Sequence, residues 1–565
     1  MAVVAVLLGL LALPVTLLAW SYLSLKRNKA VAEKVGFPIL VKWISPMNPF
    51  WMVMGSSIVK TCRKLNLGTA NFKRMYFFGW EGNERSKIHE ELGGSFMMVT
   101  PGGNWLCVGD ADVINDAIRR PKDFRRNVEQ MAVLNVYGKN LSTTEDEEWQ
   151  KHRKVTSITF TERNNELVWH EAIAQSKAML DYWKGHQPVT TIASDTKVFT
   201  LNVLAAAIFN KNYPFESSKR ESKTATRDDS YRYRDSLSTI LTSIVQIFVF
   251  GEDGLKAWWT PKSWKDAAVA IDVFRSYILG LIGEEREHAS RGVEHNQHLV
   301  AALVRACEVE KRAQPAQPGV RDMSLTETEI ISNLFVYAFA GNDTTAIVLG
   351  HILVDLAAHP QTQEWIAEEL HHYLPSKDIS QWDYRTFPKL KRCLAVVYEA
   401  LRLDHPLNQL VKTTKDHAQT LQVDGKTYTL PAGTNVHLSL AAVHTHPRYW
   451  GDEGLKWKPE RFITSADSGI EGEILAPDTS AFFLPWAYGQ RICPGKKFSQ
   501  VELVAALAML FRDHVVAPQP QPGESMETAR SRLFKTGMDI NHEGTMLFEI
   551  AEPQKAALVW SERGH

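Results

Sequence analysis

The chain has no excess of charge of either sign: 64 Lys and Arg stand against 64 Asp and Glu over 565 residues. Without a basic field the electrostatic attraction that carries nucleic-acid binding is missing, and no nucleic-acid partner is expected. Cysteine is scarce. The five residues Cys62, Cys107, Cys307, Cys393 and Cys493 include no C-x-x-C pair and are odd in number, which excludes a disulfide scaffold and a cysteine zinc site. There is no fixed-period repeat, no low-complexity tract and no strand–helix–strand alternation of the kind that builds a parallel sheet. What remains is a well-mixed globular composition, 44% hydrophobic, with enough apolar mass for a large core.

Residues 1–25 carry no charge, and about 20 helical residues cross a bilayer core. Lys26, Arg27 and Lys29 follow, so the segment reads as a transmembrane anchor with the body on the cytosolic side. A cleaved signal would place its basic residues first. Pro14 is the residue that would make the segment re-entrant. Residues 26–60 read as a basic and proline-rich connector: within 36–51 three prolines lie among aromatics, which predicts a stiff stretch rather than a helix. Residues 61–565 read as one large domain, mainly α, with a small β part around 93–115. The polar stretches 216–235 and 310–322 read as breaks between helices.

The most informative run is FFLPWAYGQRICPGKKFSQVELVAALAMLF, residues 482–511. Gly489, Pro494 and Gly495 hold Cys493 in a loop, and an apolar helix pattern begins near Lys497. A cysteine ahead of a helix N-terminus, flanked by Arg491, Lys496 and Lys497, is expected to favour its thiolate. The alternative is a buried structural thiol. The W-A-Y-G-Q-R-I-C-P-G run resembles the haem-binding signature of the cytochrome P450 family, Phe-x-x-G-x-R-x-C-x-G, with Trp486 where Phe is usual. The resemblance implies the P450 fold as a single catalytic domain behind the anchor. It also implies haem b with Cys493 as axial thiolate, and Gly489 and Arg491 in the cofactor site. In this family thiolate ligation favours O–O cleavage.

Other runs agree in order along the chain. Ser324-Leu-Thr-Glu327 reads as a capping box opening a long helix to His359. Inside it, Gly341-Asn-Asp-Thr-Thr345 is a polar island in an apolar core, where Asp343 needs partners or a water-lined gap. The island is similar to the family's oxygen-activating motif, with Thr344 holding water and oxygen and Asp343 feeding protons; the alternative is a Thr hydroxyl back-bonded one turn earlier. Glu399 and Arg402, followed by Arg461 in KWKPERF, resemble the family's buried structural triad. Trp149 and Arg153 share one helix face and can reach one anion; by resemblance they contact a haem propionate, and Lys412 the other. Lys151, Lys154, Lys496 and Lys497 form a candidate basic patch for an electron donor.

By the same resemblance the substrate meets residues 124–137, including Val133, the helix around Phe339 and Ala340, the strand at Leu410 and Val411, and the turn 536–540 with Met538. These positions are mostly apolar, so a lipophilic substrate is expected. The implied activity is a monooxygenase using O₂ and electrons from NADPH through NADPH–cytochrome P450 reductase at the endoplasmic reticulum, like fungal members of secondary metabolism. A haem-thiolate isomerase or dehydratase and a non-catalytic haem-binding membrane protein are the alternatives. The sequons at Asn140 and Asn342 are discounted, because a cytosolic body is not glycosylated.

Overall fold

Runs of small and branched apolar residues, broken by polar caps, fold into helices packed around one long central helix, with a mixed sheet to one side. The computed structural model describes residues 2–77, 79–157, 160–217, 229–291, 298–305, 325–464, 469–541 and 547–564; side chains are described from residue 14 onward, apart from 229–232, 289 and 541. Most of the two expected polar breaks, together with Ser324 and Cys307, lies outside the described residues.

α1 (Ala2–Val35) runs through Pro14 without turning back and continues past the expected boundary at residue 25. Val15, Leu18, Trp20 and Leu23 are exposed, whereas Leu25, Ala32 and Val35, nearer its C-terminus, are buried against the sheet. Asn28 ties it down, its Nδ2 donating to the Thr100 carbonyl at 2.8 Å. The expected connector is likewise built into the body. β1 (Ile39–Val41) is an edge strand, and α2 (Pro49–Lys64) is a helix capped by Asn48, with Pro49 at its start. Proline costs nothing there because the first helical N–H has no partner anyway.

The sheet also contains β2 (Ser95–Thr100), β3 (Gly103–Val108), β4 (Arg125–Arg126), β5 (Gln409–Thr413) and β6 (Asn435–Ser439), in the order β1-β2-β3-β6-β5-β4. β1 pairs parallel with β2, and β3 with β6; the other pairs are antiparallel. In β5 and β6, Val411 stands opposite His437.

Five helices position the site. α3 (Asp146–Thr156), α4 (Ile192–Leu204), α5 (Glu327–Ala358), α6 (Lys391–Leu403) and α7 (Lys496–Phe511) meet in the main hydrophobic core. α5 opens on a capping box two residues later than expected: Glu329 N donates to Thr326 Oγ1 at 3.2 Å, and Thr326 N to Glu329 Oε2 at 2.7 Å. The stretch Ile192–Phe209 is long and apolar enough to span a membrane, but 83% of it is buried inside the fold, as befits a core helix.

Candidate haem-thiolate site

Cys493 sits at the end of a tight loop. Its N–H donates to the Trp486 carbonyl at 3.0 Å, and Ala487 and Gly489 both take left-handed conformations, at φ 54° and 76°. Gly489 is required by that geometry: a side chain there would strain the reversal that brings residue 493 back under residue 486. α7 begins three residues on, and the sulfur opens onto a cavity of about 650 Å³.

The flanking cations do not face the sulfur, which corrects the sequence expectation. Lys496 pairs with Asp478 and Lys497 with Glu162, both at 2.6 Å. Arg491 lies over the Trp149 ring at 4.3 Å and donates to the Leu141 and Thr144 carbonyls. Burial therefore pushes the Cys493 thiol above its ordinary pKa, and only the Gly495 amide and Arg153 oppose it. A coordinating metal ion reverses that balance, since it deprotonates a thiol outright. The Trp486 indole N–H is committed to Ser499 Oγ at 3.1 Å rather than to the sulfur. The proposed basic patch is also largely spent, because Lys151 pairs with Glu329.

Beside the cysteine loop lies a crowd of cations short of anions. Burial lowers Arg491 to about 9, Arg126 to about 10 and Lys412 to about 8; Arg126 and Arg491 further repel Lys412. Glu145 is the carboxylate that offsets all three, and it already pairs with Arg125 and Lys415. Among the described residues the Arg153 guanidinium and the Lys412 ammonium have no hydrogen-bond partner or ion pair. Half-buried cations without counter-charges are costly, so the cluster is built for an anion that arrives from outside the chain. A flat group with two carboxylates and a metal seeking one thiolate fits this set: carboxylates against Arg126 and Arg491, which line the cavity, with Arg153 and Lys412 beside them, and the metal at Cys493.

α5 forms the facing wall. Ala340, Gly341, Thr344, Thr345 and Val348 share one stripe of the helix and line the cavity. Gly341 admits α4: a Cβ there would lie 2.6 Å from Leu204 Cδ1. The helix is unbroken through the polar island, with no gap of the kind expected. Thr344 Oγ1 donates to the Ala340 carbonyl at 2.6 Å, which is the back-bond weighed above. It also leaves the oxygen's lone pairs free to accept from whatever occupies the cavity. Asp343 does not line the cavity. It is buried, accepts from Asn342 Nδ2 at 2.9 Å, and feels Lys197, which pairs with Glu549. Burial raises its carboxyl to about 6. Asn342 in turn accepts from Thr200 Oγ1 at 2.6 Å, and both sequon asparagines are buried.

Behind the loop, Glu399 and Arg402 are wholly buried on α6 and joined twice, at 2.8 and 2.9 Å; Arg461 reaches Glu399 at 3.2 Å. Tyr398, beside Glu399, packs edge-on against Trp486 at 6.0 Å, which couples this knot to the cysteine loop.

Of the expected substrate contacts, Val133, Ala340, Leu410 and Val411 line the cavity. Phe339 and Met538 do not. Phe339 lies off the α5 stripe, in the core, and Met538 closes the helix Met526–Met538. From the C-terminal region Phe548 lines the cavity instead. Trp51, Met52 and Val53 of α2, and Lys42 just after β1, also reach the cavity and were missed. Reading Asn48-Pro49 as a helix start would have flagged α2.

A family model described as Cytochrome P450 matches residues 78–538. A cytochrome P450 monooxygenase of Arthrobotrys oligospora is 28% identical over 548 residues, 91% of this chain and 91% of its own. The phomenoic acid biosynthesis cluster cytochrome P450 monooxygenase of Leptosphaeria maculans is 27% identical over 561 residues, 92% and 93% of the two chains. A crystal structure of a cytochrome P450 superposes with a TM-score of 0.65 at 19% identity, covering 86% of this chain and 99% of the other, a likeness of fold. A lone thiol under a large cavity, a cation crowd awaiting carboxylates and a match over most of the length lead to one conclusion: the chain belongs to the cytochrome P450 family of haem-thiolate monooxygenases.

Proposed function

We propose that this protein inserts one oxygen atom of O₂ into a lipophilic small molecule of fungal secondary metabolism, RH + O₂ + two electrons + two protons → ROH + H₂O. The electrons come from NADPH through a reductase. The observation that carries the reading is Cys493 opening onto the cavity whose facing wall holds Thr344 with its lone pairs free. Haem, when bound, supplies the oxygen activation and the oxidation itself. The chain's own residues do the rest. Cys493 would hold the haem iron through its thiolate, the cation cluster would bind the haem carboxylates, and the apolar walls would exclude water and orient the substrate. Thr344 holds a hydrogen-bond donor in place, and Asp343 supplies protons to that end of the cavity by way of Thr344 or a water. The exposed apolar stretch of α1, continuing the uncharged N-terminal run, anchors the body at the cytosolic face of the endoplasmic reticulum. The test is turnover under ¹⁸O₂ with reductase and NADPH: one labelled oxygen enters the product per NADPH consumed. A rearranged product formed without NADPH would move the assignment to an isomerase.

Asp343 gives this reading a pH signature. Its raised pKa, about 6, leaves the carboxyl largely ionised at neutral pH with a protonated minority, the balance a proton carrier needs. Turnover of the wild type is expected to fall on the alkaline side as the protonated fraction is lost. Asp343→Asn should lower kcat by about 10²-fold, within the usual range for general acid–base groups, and flatten that limb. Rate–pH profiles of the two proteins check it. Stability carries the opposite face of the same shift: the native state holds more protons than the unfolded chain between the ordinary carboxylate pKa and about 6, so stability falls as pH rises through that window. The Asn variant loses that slope in denaturation measured across the window.

A further inference from the structure

One stretch of the cavity wall is polar, and the oxidation chemistry leaves it unused. Lys42 follows β1, is 4% exposed and lines the cavity. Its ammonium donates one N–H to the Met75 carbonyl and lies over the rings of Tyr76 and Trp80 at 5.2 and 4.9 Å. Among the described residues it forms no ion pair, so two donors remain in an aromatic setting, and burial lowers its pKa to about 8, which leaves it mostly protonated at neutral pH. Glu81, in the same wall, is the acid that acts on it, but its carboxyl is met only by its own backbone N–H and is pushed toward the neutral form by burial. His437 and Gln130, also in this wall, are joined at 3.3 Å; His437 is held neutral, at about 4, by burial and by Lys42, and its Nδ1 has no partner. Asn408, another wall residue, has an unpartnered Nδ2. Five polar side chains therefore face an otherwise apolar space lined here by Trp51, Phe77 and Trp105; Lys42 and Asn408 leave donors incomplete, whereas His437, whose Nε2–H donates to Gln130 Oε1, leaves an acceptor at Nδ1. Such a set is costly to bury unless a ligand completes it.

We propose that Lys42 anchors a carboxylate of the substrate, so that the molecule oxidised is an apolar body with an acid head. A carboxylate is the group that supplies both the missing charge and two acceptor oxygens to an ammonium. The other cations of the cavity, Arg126 and Arg491, belong to the haem propionates in the proposed site, which leaves Lys42 for the substrate. The inference rests on that reading of the cavity as the substrate site.

The test uses the haem-loaded full chain and isothermal titration calorimetry with straight-chain acids from octanoate to hexadecanoate and their methyl esters. Acids of suitable length should bind about 10- to 100-fold more tightly than their esters, as hydrogen bonds to charged groups are worth. Lys42→Met should abolish the difference by weakening the acid alone, and Lys42→Arg should restore most of it. Equal binding of acid and ester, no binding by any acid, or a preference that survives Lys42→Met would overturn the proposal. If Lys42→Met fails to fold by circular dichroism, the pH dependence of acid binding by the wild type decides: a preference for acid over ester that fades as pH rises past about 8, where Lys42 loses its proton, supports the anchor, and one that persists well above that pH overturns it. Calorimetry is independent of turnover, so a failed ¹⁸O₂ experiment with intact acid preference sinks the monooxygenase reading alone. Full turnover with no such preference sinks only the anchor.

Discussion

Cys493→Ala protein is expected to remain folded, to lose the thiolate-type Soret band in the carbon monoxide difference spectrum of the reduced protein, and to turn over substrate no faster than the uncatalysed background. The loop owes its shape to backbone features, the left-handed Ala487 and Gly489 and the hydrogen bond from residue 493 N–H to the Trp486 carbonyl, none of which needs the sulfur. The side chain faces the cavity rather than the core, so its removal opens no packing defect. What goes is, among the described residues, the one cysteine that lines the cavity. Cys107 and Cys393 are buried with their thiols pushed well up, and neither lines the cavity. Cys107→Ser is therefore the control that keeps the band. Haem content by absorbance and secondary structure by circular dichroism separate loss of ligand from loss of fold. A thiolate-type band in well-folded Cys493→Ala would place the ligand elsewhere and overturn the site.

Features legible in the sequence are those fixed by a few neighbouring residues. The cysteine loop needs a glycine at a left-handed position and a helix start three residues on, and both are written locally. α5 was legible as a long uninterrupted helix, but its first residue was not: Ser324-x-x-Glu327 and Thr326-x-x-Glu329 satisfy the same capping pattern, and only the bonds in the fold choose the second. The side to which a charge turns is a tertiary matter. Lys496 and Lys497 adjoin the cysteine loop in sequence yet pair with Asp478 and Glu162, from other elements. The helix period could have excluded Phe339, since it stands about 100° from Ala340 and off the stripe of Gly341, Thr344 and Val348. No local signal moves the C-terminal contact from Met538 to Phe548, because that depends on where the chain returns to the cavity. Lys42 was read only as part of a connector, and its burial appears once β1 joins the sheet.

Glu399→Gln is expected to cost about 3–5 kcal/mol, the usual penalty for breaking a buried ion pair by removing one partner. The carboxylate accepts four hydrogen bonds: two from Arg402, one from Lys458 N–H at 2.8 Å and one from Arg461 Nε at 3.2 Å. A neutral amide can accept at only one of its two heads, so Arg402, fully buried, keeps its charge without a counter-charge. Arg402 also spans to the carbonyls of His444 at 2.9 Å and Gly454 at 2.6 Å. Arg402→Leu should thus be at least as damaging, taking the donor from two carbonyls and leaving the Glu399 carboxylate with only the Lys458 N–H and the partly buried Arg461. Arg461→Gln should cost less, because Arg461 is only partly buried and its bond to Glu399 is the longest of the four. The order Arg402→Leu ≥ Glu399→Gln > Arg461→Gln in urea midpoint is the measurement on stability. The same variants should shed haem faster, with dissociation rates in the same order, because Tyr398 on α6 carries the packing against Trp486 whose carbonyl holds the Cys493 N–H. The double replacement Glu399→Leu with Arg402→Leu removes both charges together and should be less costly than the sum of the single changes, since neither ion is then stranded. A cycle in which the two costs simply add would mean that the pair is not coupled through charge, and that the carbonyl bonds of Arg402 alone hold the segment behind the cysteine loop.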